Sequence, residues 1–322
     1  MLNKKKFEMA FKRYKKIWIG GIKDVEEEYE ELQNEITDIV QSDSIERDHI
    51  LLIDLDTICS YYISKWKNDV LINGGNKIEQ FKKIHMIVFY ECMVQDIYKM
   101  RYPNMRIQYT FKEVIADLIH FTMFGWKKEE NILFDFIVEH LGENIMSAND
   151  CNKHTWFLLE LYLQYRNKTI FGTNQNLHIT VKETFKKAGV ECYLIPEDLG
   201  VYGEVLKLWS TCNLGEFENL VSKMSLFHST LASELDQSLE FGDFMYTFYP
   251  FEILFLVYIR NKLCLSVPQQ FNDVLMNTPE AKMVIGDPEP YPDWDDLLQL
   301  IDNFYRKNYP EYIPNKHGEL FK

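Results

Sequence analysis

The sequence predicts an all-α protein of two packed multi-helix halves, with at most a small β element in the connection between them. Apolar residues recur at three- and four-residue steps along most of the chain, the pattern of one buried helix face. The breaks between these runs are short and built of Gly, Asn and Pro, as at Gly20-Gly21, Asn73-Gly74-Gly75-Asn76 and Tyr102-Pro103-Asn104, so helices of ordinary length follow. One stretch, Lys168 to Gly203, is richer in breakers and holds Leu177 to Thr180 and Val190 to Ile195, where a short strand or two fits. The expected organisation is therefore an N-terminal helical region over 1–170, an irregular connection over 171–203 and a C-terminal helical region over 204–322.

The elements follow in order. Lys4 to Lys16 is basic and Asp24 to Glu31 acidic, two solvated helices whose opposite charges can pair. Buried faces are then marked by Leu51, Leu55, Ile58, Tyr62 and Trp66; by Val114, Ile115, Leu118 and Ile119; and by Ile132, Leu133, Phe136 and Ile137. Beyond the connection come Phe217, Leu220, Met224 and Leu231, then Leu297, Leu298, Ile301 and Phe304. Thr110-x-x-Glu113 and Thr180-x-x-Glu183 read as capping boxes, and Thr278-Pro279 as the start of a short helix. The stretch from Phe248 to Arg260 reads as a buried helix that admits one carboxylate, Glu252, at its start. That carboxylate is assigned a structural role, meeting free amides or a buried cation.

Composition narrows the function classes. The longest apolar run, Ile253 to Ile259, is far short of the roughly 20 residues that cross a bilayer. The N-terminal segment lacks the apolar core of a secretory signal, so a cytoplasmic protein with no membrane contact is expected. Six dispersed cysteines without a C-x-x-C pair encode neither a zinc ribbon nor a redox dithiol. The net charge of -14 argues against a nucleic-acid partner, because phosphate contacts need a basic surface.

Chemistry-bearing motifs are sparse. Glu46-x-x-His49 and Asp117-x-x-His120 each place a carboxylate and an imidazole on one helix face, as a carboxylate-bridged two-metal bundle requires, with Glu91 and Glu160 as further carboxylates. A polar stripe beside an apolar one explains the same spacing, so no metal, no cofactor and no enzyme is expected. A helical-bundle metal enzyme and a general interaction scaffold stand as alternatives. More informative is the distribution of charge: neither Met224 to Ile259 nor Asp287 to Asp302 contains a Lys or Arg, and both are acidic and interleaved with aromatics. Asp236, Glu240, Asp243, Tyr246, Asp293, Trp294 and Asp295 are the expected contacts for a basic protein partner.

Several segments also follow the order of a known family. Glu46-Arg47-Asp48-His49 opens a helix, and Ala116 to Glu130 runs an apolar helix into charged residues. Phe248-Tyr249-Pro250-Phe251-Glu252 is similar to an aromatic segment of the form Tyr-Trp-Ser-Phe-Glu, and a helix pair over Glu204 to Cys212 and Gly215 to Leu231 precedes it. In this layout, over roughly residues 44 to 275, the chain resembles the two-part helical immunity proteins of bacterial polymorphic toxins, of the PoNe immunity type. It departs at Leu275 to Lys282, where that family carries a Tyr-Tyr-Pro-Tyr-Asp-like segment. The resemblance implies a non-enzymatic protein that neutralises a cognate toxin, often a nuclease, by covering its basic active-site surface.

Overall fold

The computed structural model describes residues 2–75, 78–101, 111–143, 145–235, 240–241 and 245–322. Among these the protein is all-α and contains no strand; the only β pairings are two isolated bridges, Leu141 with Met146 and Ile170 with Thr173. The connection expected to hide strands instead carries a helix, Leu177–Ala188. It closes on Gly189 at φ +73°, a left-handed turn that favours glycine.

The described residues form two compact units, and these are not consecutive parts of the chain. One comprises Met1–Lys16 with Ala148–Met283, the other Ile17–Ser147 with Val284–Lys322. The reason is aromatic packing by the two ends of the chain. In the first unit, Phe7, Phe11 and Tyr14 of α1 (Lys4–Gly20) pack on Phe248 with ring centroids 4.9–5.2 Å apart. Behind them lie α7 (Lys153–Arg166), α8 (Leu177–Ala188), α9 (Val201–Leu208), α10 (Leu214–Ala232) and α11 (Phe251–Lys262). The residues over 171–203 belong to this unit rather than joining two others.

The second unit contains α2 (Ile22–Gln41), α3 (Asp48–Ile72), α4 (Glu79–Arg101), α5 (Phe111–Phe124), α6 (Lys127–His140) and α12 (Asp296–Asn308). Its core gathers Phe89, Phe121, Trp126 and Tyr291 around Phe321, near the end of the chain. At Gly125, φ is +73° and a Cβ would meet Pro288 Cα at 3.3 Å, so the turn between α5 and α6 needs the missing side chain twice over.

Local signals fared unevenly. Thr180 sits inside α8 and caps nothing, because the helix begins three residues earlier after Asn176. Thr278 does cap: its hydroxyl accepts from Ala281 N at 3.3 Å and opens the short 3-10 turn Glu280–Lys282. Thr110 lies outside the described residues. No described helix is long and apolar enough to cross a membrane.

Candidate functional site

The seven expected partner contacts do not form one surface. Asp236 and Asp243 lie outside the described residues. Of the rest, Glu240 and Tyr246 belong to the first unit, and Asp293, Trp294 and Asp295 to the second. Glu240 turns inward, its Oε1 accepting from His154 N at 2.8 Å in the first turn of α7. Tyr246 is buried against Phe251, 5.0 Å between centroids.

Asp295 is also buried, and its role is a cap rather than a contact. Oδ1 accepts from Leu298 N at 2.9 Å at the start of α12, while Tyr29 and Tyr62 both donate to Oδ2. Burial and then the Asp295 carboxylate push the Tyr29 hydroxyl above its ordinary range; the same two influences act on Tyr62. Trp294 is half-buried beside Tyr90, and only Asp293 is exposed. An acidic composition marked these residues, but a helix start draws carboxylates inward as readily as a binding surface presents them.

The exposed acidity lies elsewhere in the second unit. Along α2, Asp24, Glu28, Glu31, Glu35 and Asp38 are exposed and recur at four- and three-residue steps, a single stripe about 20 Å long at 1.5 Å per residue. Glu35 meets Arg47 at 3.4 Å. Asp24, Glu28, Glu31 and Asp38 have no ion pair among the described residues. The Tyr29 bond to Asp295 ties the face of α2 opposite this stripe to the start of α12, where Asp293 and Asp296 are also exposed.

The residues of the metal-type motifs face solvent or have other partners. Glu46 and His49 are exposed at the start of α3. His120 does not bond Asp117: its Nδ1 donates to Ala116 O at 2.7 Å, and its ring stacks on His85 at 4.0 Å. Asp117 Oδ1 instead meets His85 Nδ1 at 2.5 Å. Burial keeps this cluster neutral, pushing the Asp117 carboxyl well up and the imidazoles down, His120 to about 3. Among the described residues no group of three or more His, Cys, Asp or Glu is arranged to hold a metal.

A different regularity appears that spacing could not reveal. Three buried histidines each turn Nδ1 to a carboxylate on a neighbouring helix: His85 to Asp117 across α4 and α5, His178 to Glu160 across α8 and α7 at 2.7 Å, and His228 to Glu252 across α10 and α11 at 2.8 Å. Two are sealed. His228 Nε2 donates to Thr247 O at 3.0 Å, and Phe241 covers the ring at 3.7 Å. His85 Nε2 is buried. The third opens on a cavity of about 970 Å³, whose lining includes Glu160, Gln164, His178, Lys207 and Trp209.

No family model matches this chain, and neither a curated protein nor a solved structure is detectably similar to it.

Proposed function

We propose that this chain is a non-enzymatic immunity-type protein that binds the basic surface of a cognate toxin, a nuclease being the leading class, and blocks it. The observation that carries the reading is the stripe of exposed carboxylates along α2, of which Asp24, Glu28, Glu31 and Asp38 have no ion pair among the described residues. Such a face attracts a lysine- and arginine-rich surface, and nuclease sites are basic because they hold phosphate. The net charge of -14 acts in the same direction. On this reading the protein works in the cytoplasm, where a toxin reaches its target, and the order of segments shared with immunity proteins of polymorphic toxins adds support.

The test is co-production with the toxin-like product of the adjacent reading frame, scored as rescue of growth. Exposed carboxylates act mainly on encounter, so Glu28→Lys, Glu31→Lys and Asp38→Lys together should slow association with the purified toxin at least about tenfold and flatten its salt dependence. Thermal stability should stay within about 0.5 kcal/mol, as at other surface positions. Full rescue with an unchanged association rate in the triple variant would remove α2 as the docking face.

A further inference from the structure

The three buried histidine–carboxylate pairs serve as controls for one another. In His85–Asp117 and His228–Glu252 the second ring nitrogen is shut inside the core, as a purely structural crosslink requires. In His178–Glu160 both residues are at least nine-tenths buried, at 5% and 1% exposure, yet both line the cavity. Glu160 Oε1 accepts from His178 Nδ1 at 2.7 Å and from His178 backbone N at 3.3 Å, which fixes the ring with its Nδ1 proton toward the carboxylate. Neither His178 Nε2 nor Glu160 Oε2 has a partner among the described residues. The floor of the cavity thus presents two adjacent acceptors on rigid helices.

One turn further along α7 the lining is equally prepared. The Trp209 indole N–H donates to Gln164 Oε1 at 2.7 Å, and this leaves the Gln164 amide NH₂ as a donor. The Trp209 carbonyl is held by Arg260 Nη1 at 2.6 Å, from a guanidinium that is itself buried. At the rim the carboxylates are paired: Lys182 bonds Glu197, Lys153 bonds Asp198 and Lys223 bonds Glu204, while Lys207 of the lining has no ion pair among the described residues. The cavity therefore has no free rim carboxylate among the described residues to hold a cation. It offers an aromatic surface, a donor amide and two acceptors, the set that suits a ring with an apolar face and neighbouring hydroxyl groups.

We infer that the cavity between α7, α8 and α9 binds a polyhydroxylated ring, with vicinal hydroxyls donated to Glu160 and His178 and the ring face against Trp209. Free saccharides and the ribose of nucleosides share this chemistry. The experiment titrates the full chain with a panel of neutral mono- and disaccharides and, separately, with nucleosides and their 2′-deoxy counterparts. Binding is followed by calorimetry and by the tryptophan fluorescence that Trp209→Phe removes. Saturable binding in the saccharide arm, or binding of nucleosides that their 2′-deoxy forms lose, supports the inference and tells the sources apart. Trp209→Ala and Gln164→Leu, both at half-buried positions, should weaken that binding at least about tenfold, the loss of one good contact. Glu160→Gln keeps an acceptor for His178 while exchanging the cavity-facing acceptor for a donor, and should have the same effect with the fold intact. Silence in both arms at millimolar concentration overturns the inference, and so does binding that all three variants leave unchanged. Neither result bears on the docking role of α2, which lies in the other unit.

Discussion

Replacing Glu252 with alanine lowers the unfolding free energy by about 3 kcal/mol, the cost of orphaning one member of a buried pair and leaving a side-chain void. Glu252 is fully buried at the start of α11 and its Oε1 lies 2.8 Å from His228 Nδ1. The imidazole has no second choice, because its Nε2 already donates to Thr247 O and Phe241 lies flat on one face. Glu252→Gln keeps a hydrogen-bonding group at the same point, its amide able to donate to a neutral imidazole's Nδ1, and should retain more than half of the lost stability. Urea denaturation of the two variants beside the native protein is the measurement. An alanine variant as stable as the native chain would show that the pair contributes nothing net, as happens when desolvation cancels the attraction.

Asp54 carries the second large effect, and its sign is opposite. This carboxyl on α3 is buried, its Oδ2 has no partner among the described residues, and burial followed by the nearby Glu35 pushes it up from 3.8 to about 7. Because the folded value is raised, between pH 3.8 and about 7 the folded protein holds a proton that the unfolded chain has released. Its contribution to stability is therefore complete below about pH 3.8 and is lost as pH rises through about 7. A shift of that size caps the loss at about 4 kcal/mol, and relaxation around the buried carboxylate brings the expectation to about 2 kcal/mol. Asp54→Asn should consequently raise the melting temperature at pH 8, do little at pH 4, and flatten the stability profile between them. An Asn variant with the native pH profile would mean that Asp54 ionises freely in the folded protein.

The place of Glu252 at the head of an apolar helix was legible in the sequence; its partner His228 and the burial of Asp54 were not. A single carboxylate at the head of an otherwise apolar helix can only be paired or capping, whereas Asp54 sits in a run, Leu51 to Ile58, whose periodicity allows it to be either exposed or turned inward. The same limit governs the functional residues. Asp295 and Glu240 look like surface acids in one dimension, and the fold spends both on helix starts, at α12 and α7. The acidic stripe on α2 was visible as a charge run, but which of its carboxylates stay unpaired depends on residues outside that helix, as Arg47 beside Glu35 shows.

What the sequence by itself determined is the all-α class, the positions of most helices and the acidic character of the chain. These are local quantities: a three- to four-residue period, a cap and a count of charges act over one or two turns of backbone. The tertiary structure alone decided that the ends of the chain cross into the unit they pack with, through Phe248 at one end and Phe321 at the other. It also decided which histidine met which carboxylate. His178 and Glu160 are 18 residues apart, His228 and Glu252 are 24 apart, and His85 and Asp117 are 32 apart. Each pair spans two separate helices with a turn between them, so only the packing of one helix on another brings the side chains together, and only the shape of that packing leaves one of the three pairs facing open space.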